Sequence, residues 1–156
     1  MLAEYHQCLQ QVDHGLRNYN LDGAIRIGID FMEKLSNWYL RRSRRRFWES
    51  GMSTDKHSAY STLYSVLSGY LQIMAPFAPF ITDALWQKLA PFRQQQLAET
   101  SIHLSHRPFA HISYIDQQLM DEISMVRRAI KLALFIRSKN KIAVKQPLQS
   151  MEIKFE

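Results

Sequence analysis

Cysteine is almost missing from this chain. Cys8 stands alone among 156 residues, which excludes an intramolecular disulfide and a thiolate zinc cage. A reducing compartment is the simplest expectation, with Cys8 read as a small buried hydrophobe. Five glycines and five prolines are too few and too scattered for a low-complexity linker. No apolar run approaches the ~20 residues needed to cross a bilayer. The start, Met1-Leu2-Ala3-Glu4, shows neither the basic nor the apolar region of a secretory signal. A soluble, cytoplasmic protein without a disordered tail is therefore expected. The chain also lacks GxGxxG, GxxxxGK followed by Ser or Thr, HExxH and GxSxG. Those absences remove the common signatures of dinucleotide binding, nucleoside triphosphate binding, zinc proteolysis and serine esterase chemistry. An autonomous enzyme is not expected.

What is present is a hydrophobic share of 46% and a net charge of +6. This size suits one sizeable core that buries roughly 70% of the surface exposed by the unfolded chain. The charge is unevenly placed. Five of the 20 basic residues lie in Arg41 to Arg46. Seven more (Arg127, Arg128, Lys131, Arg137, Lys139, Lys141, Lys145) lie in a stretch without a single acid. Clustered cations repel one another, so they either face phosphates, anionic lipid or an acidic partner, or form a solvated basic face.

Apolar spacing of three and four through Leu2, Tyr5, Leu9, Val12 and Leu16 predicts a first helix ending near Asn18 to Asn20. A second runs from about Leu21 towards Trp48 as one long helix. Glu49-Ser50-Gly51 breaks it, and Ser53 or Thr54 can cap the next helix, with Asp55 in its first turn. That third helix carries Tyr60, Leu63, Leu67, Tyr70 and Leu71 before Pro76 and Pro79 interrupt it. Thr82 is read as the cap of a short helix around Leu85, Trp86 and Leu89. Residues 92–114 lack a period and read as an irregular crossing connection. From Asp116 helical spacing resumes to Arg137. Beyond it Ile142, Val144, Leu148, Met151, Ile153 and Phe155 alternate loosely and predict one or two β-strands. The expectation is an all-α helical bundle over 1–137, followed over 138–156 by the start of a β-containing junction with short terminal strands.

His103, His106 and His111 with Asp116 could in principle hold a metal, but their spacing matches no recurrent ligand pattern. No metal site is expected. His6 and His14 read as surface residues.

The informative stretch is Leu35 to Trp48. At 100° per residue, Arg42 and Arg46 continue the stripe of Leu35 and Tyr39, whereas Arg41, Arg44 and Arg45 point elsewhere, with Trp48 near Arg41 and Arg44. A guanidinium at a core margin needs partners, so Arg42 or Arg46 should be held by a carboxylate or carbonyl. Arg41, Arg44 and Arg45 remain for phosphates, and Trp48 for an unstacked base. Arg137 to Lys145 forms a second basic window. The helix dipole accounts for Arg137 and Lys139 but not for Lys141 and Lys145. A continuous phosphate backbone would bring both windows onto one surface.

Four blocks carry a resemblance: 35–48 (LSNWYLRRSRRRFW), 74–86 (MAPFAPFITDALW), 101–104 (SIHL) and 144–148 (VKQPL). Together they resemble the anticodon-binding helical domain of class I aminoacyl-tRNA synthetases, most of all the isoleucyl branch. The second block is shared with the valyl, leucyl and methionyl branches, and the Arg-rich block singles out isoleucyl. The resemblance implies a helical module that binds the anticodon stem and loop of tRNA through Asn37, Arg41, Arg44, Arg45, Trp48, Arg137, Lys139, Lys141 and Lys145. It implies no membrane and no DNA partner. The HIGH and KMSKS signatures are lacking, so this piece should catalyse nothing and hold no cofactor. ATP and magnesium, like the catalytic domain, belong to the parent chain, which would attach isoleucine to its tRNA. The family often has Arg where Lys145 stands, which keeps the charge and weakens any bidentate role. The alternatives are a valyl or leucyl relative, or a helical protein-interaction module with a basic surface. A membrane-surface helix fits less well, because the arginines extend an apolar stripe instead of flanking it.

Overall fold

The structure is a computed structural model that describes residues 1–92 and 101–152. By packing it forms two compact units, Met1–Ile115 and Asp116–Glu156.

Among the described residues the first unit contains five α-helices: α1 (Leu2–Arg17), α2 (Leu21–Lys34), α3 (Arg41–Trp48), α4 (Thr54–Met74) and α5 (Pro79–Leu89). A π-helical turn, Leu35–Leu40, joins α2 to α3 without a break. The caps are local chemistry. Asn20 Oδ1 accepts from Gly23 N at 3.1 Å and Ser53 Oγ from Lys56 N at 3.1 Å, each satisfying a donor that its helix start leaves free. Gly51, at φ 75°, takes the left-handed turn between α3 and α4. Thr82 does not cap α5. The helix begins three residues earlier with Pro79 in its first turn, where a missing N–H costs nothing, and Thr82 Oγ1 donates back to Ala78 O at 2.8 Å.

The main core joins Tyr5, Cys8, Leu9 and Val12 of α1 to Ala24 and Phe31 of α2, Leu35, and Val66, Tyr70, Ile73 and Met74 of α4. Cys8 is buried, and desolvation pushes its thiol up to about 12, so it is packing rather than a nucleophile. A smaller core joins Leu71, Ala75 and Trp86 to Ile102.

The crossing connection is clasped to the helices by polar groups. Asp83 accepts from Ile102 N at 2.8 Å and from Ser101 Oγ at 2.9 Å. Gln72 Nε2 donates to Ser105 Oγ at 3.0 Å and His106 O at 2.9 Å, and Arg107 pairs with Asp13 at 2.8 Å. His6, expected on the surface, is instead buried. Its ring stacks on Tyr114 at 4.9 Å, meets His111 edge-on at 5.5 Å, and accepts from His111 N at Nδ1 over 3.2 Å. That bond places the proton of the neutral ring on Nε2. The cover arrives from residues more than 100 positions along the chain, which helical spacing does not report.

Desolvation, and then the neighbouring His111, lower the pKa of His6 below its usual 6.5. The unfolded chain therefore binds this proton at a higher pH than the fold does, so the stabilisation is complete above the unfolded value and is lost as pH falls through 6.5 towards the folded value. Asp83 acts in a lower window. The Ile102 amide first, then the Ser101 hydroxyl, hold its carboxyl below the usual range. Its contribution is present above the unfolded value and is lost as pH falls through the folded one. Urea unfolding at pH 7.5 and 5.5 should show lower stability at 5.5, and His6→Phe should remove most of that difference. An unchanged difference in the variant would place the acid sensitivity elsewhere.

The second unit holds α6 (Gln117–Lys139), capped where Asp116 Oδ1 accepts from Leu119 N at 2.9 Å. The expected terminal strands are not seen among the described residues. Ile142, Val144, Leu148 and Met151 lie in turns and irregular chain, and no strand occurs among the described residues. Lys141 sits at φ 55°, Gln146 N bonds Ala143 O at 3.0 Å in a turn, and Pro147 has no N–H to give a ladder. Ile153 and Phe155, the rest of that expectation, lie outside the described residues.

Candidate nucleic-acid interface

The π-turn decides which arginines face water. A π-turn inserts one extra residue into the helix, and one residue is worth a step of about 100°. The core stripe of Ala24, Phe31 and Leu35 therefore does not continue through Arg42 and Arg46. It continues one position later, through the buried Ser43 and the half-buried Phe47. Phe47 packs edge-on against Tyr60 of α4 at 5.0 Å. The guanidinium side of α3 is thereby rotated outward.

Arg46 is the arginine held at the core margin. Its Nε and Nη2 donate to the Asp55 carboxylate at 2.6 and 2.7 Å, a fork-to-fork pair that ties the end of α3 to the start of α4. The bond holds Asp55 below the usual carboxylate range. Lys56 adds a second tie, donating to Glu49 O at 2.6 Å. Arg42, the other candidate for that role, is exposed and lies over the Trp38 ring at 5.0 Å. Asp55 stands at the start of α4, beside the end of α3 where Arg46 lies, and Arg42 is one turn further back.

Arg44 lies over the exposed Trp48 ring, also at 5.0 Å. Arg41 and Arg45 are exposed and make no hydrogen bond or ion pair with the described residues. Asn37 stands on the π-turn itself and shares with Ser36, Arg41, Arg44 and Trp48 the lining of a shallow cavity of ≈ 510 Å³. A neighbouring hollow of ≈ 590 Å³ is lined by Arg41, Arg42, Arg44, Arg45, Trp48 and Glu49. Four guanidinium groups, an amide and a 76% exposed indole thus share one face. Such a face offers bidentate donors for phosphate oxygens and a flat ring for a base. Periodicity missed Arg42 as a member of it. The available signal was the small Ser43 followed by Phe47 at i+4, which makes a stripe only when one residue is skipped.

The second basic window belongs to the other unit. Lys139, Lys141 and Lys145 are exposed, whereas Arg137 is half-buried and donates to carbonyls of its own loop. Among the described residues no group of three or more His, Cys, Asp or Glu side chains could hold a metal ion, and no helix is long and apolar enough to cross a membrane.

Comparison with known proteins places these features in a family. Residues 1–152 match the model of the anticodon-binding domain of tRNA ligases. The chain is similar to isoleucine–tRNA ligases from Dehalococcoides mccartyi strain CBDB1 (42% identical), Wolbachia pipientis wMel (38%) and Chlamydia trachomatis serovar L2 (35%). Each match covers 98% of this chain but only 15%, 13% and 14%, respectively, of the relative's own length. With a family model matching nearly its whole length and a basic, aromatic face on α3, the chain belongs to the anticodon-binding domains of tRNA ligases.

Proposed function

We propose that this chain binds the anticodon stem and loop of a tRNA, that of isoleucine first, as the anticodon-binding part of an isoleucine–tRNA ligase working in the cytoplasm. The observation that carries the reading is the exposed face of α3. There Arg41 and Arg45 have no partner among the described residues, and Arg44 lies over an exposed Trp48. Phosphates take the free guanidinium groups, and a splayed loop base takes the indole. Similarity to isoleucine–tRNA ligases across 98% of the chain supports the choice of tRNA.

In this reading the chain contributes affinity and orientation, and the chemistry belongs to the remainder of a longer ligase. ATP and magnesium are assigned there too.

The test is a titration of an isoleucine tRNA transcript with the 156-residue chain at several salt concentrations. A non-cognate tRNA and an acidic protein serve as comparisons. The reading expects tRNA to bind with log affinity falling linearly in log salt, and the isoleucine tRNA to bind more tightly than the other. Tighter binding of the acidic protein would favour a protein-interaction module instead.

A further inference from the structure

A single guanidinium closes the loop that follows α6. Arg137 Nη1 donates to Ala143 O at 3.0 Å and to Gln146 O at 2.9 Å. Inside that closure Ile142 N bonds Arg137 O at 2.9 Å, Lys141 N bonds Ser138 O at 3.1 Å, and Asn140 Nδ2 bonds Ile136 O at 2.8 Å. Lys141 holds a left-handed φ of 55°, and Pro147 removes the helical alternative at Gln146. From this frame Lys139, Lys141 and Lys145 stand exposed, with no acid anywhere between Glu122 and Glu152. Lys139 ends α6, and on a free loop the other two charges would move away from it. Here the chain they stand on is held by bonds at both ends.

We propose that Arg137 is a positioning residue, folding residues 137–146 into a platform that presents Lys139, Lys141 and Lys145 together to RNA phosphates. This rests on the tRNA reading above. Arg137 differs from the lysines in the two ways the role needs, being half-buried and having donors committed to its own backbone. The arrangement lowers the ordering cost of binding, because the cations are placed before RNA arrives.

Titrations of the full chain with an isoleucine tRNA transcript, over a range of salt, test this with Arg137→Ala, Lys145→Ala and the double variant. A direct phosphate contact is worth about one unit of salt slope. Arg137→Ala should therefore reduce the slope by roughly two units, since Lys141 and Lys145, which follow α6, disperse with it. Lys145→Ala should cost about one unit in the unaltered chain and almost nothing beside Arg137→Ala. In the free protein, Arg137→Ala should also speed amide exchange at Ile142 and Gln146. A loss of only one unit, with unchanged exchange and the same cost for Lys145→Ala in both backgrounds, would overturn the positioning role and make Arg137 an ordinary contact. Failure of the unaltered chain to bind tRNA would instead overturn the tRNA reading, and a slow-exchanging loop would then remain as structure alone.

Discussion

Replacing Arg41 and Arg45 together with alanine is expected to weaken tRNA binding by about 10- to 100-fold, the loss of two charge-assisted contacts. The salt slope should fall by about two units. Both side chains are exposed and make no hydrogen bond or ion pair with the described residues, so thermal melting should hardly change. Arg46→Ala should behave in the opposite way. It breaks the fork between Arg46 and Asp55 and frees the junction of α3 with α4, lowering the melting temperature while leaving most of the salt slope. Matching effects from the two changes, in melting and in binding alike, would mean that α3 carries one undifferentiated basic patch.

Gly69→Ala is expected to destabilise the first unit by about 3 kcal/mol, at the upper end of overpacking costs. A Cβ there would land on the Tyr5 hydroxyl and lie 2.8 Å from Cζ of the same ring. Tyr5 is buried between α1 and its neighbours, and burial holds its phenol up to about 12, so the ring has no solvent into which to withdraw. The gain of about 1 kcal/mol from replacing a helical glycine does not offset this. Gly28→Ala is the control. Its Cβ would meet the Sδ and Cε atoms of Met74, the far end of an unbranched and adaptable side chain. Chemical denaturation of both variants should therefore separate them clearly, and equal stability would show that α1 and α4 are not packed through Tyr5 and Gly69.

Much of the helical order was legible because its causes are local. The stripe of Tyr5, Leu9 and Val12, the cap at Ser53 or Thr54, the restart of helical spacing at Asp116 and the proline interruption each act within a few residues. What could not be read depended on distant or averaged effects. His6 is buried by residues of the crossing connection. The loose alternation of Ile142 and Val144 resembles a strand, but alternation supplies no partner, and the Arg137 bonds with the turn at Ala143 to Gln146 take the backbone elsewhere. At the candidate interface, sequence picked out α3 and its arginine block. It left Arg42 and Arg46 as alternatives beside the core and kept Arg42 out of the exposed face, because a fixed step per residue has no place for the π-turn. Arg46 takes the carboxylate because Asp55 stands at the start of α4, beside the end of α3.

Footprinting tests the central claim most directly. Hydroxyl-radical cleavage of an isoleucine tRNA transcript, with and without the chain at low salt, reads which riboses the protein covers. Binding through the α3 face predicts protection confined to the anticodon stem and loop, and its loss when Arg41 and Arg45 are both replaced by alanine. Protection of the acceptor stem instead, or an anticodon-arm footprint that survives that double replacement, would contradict the account.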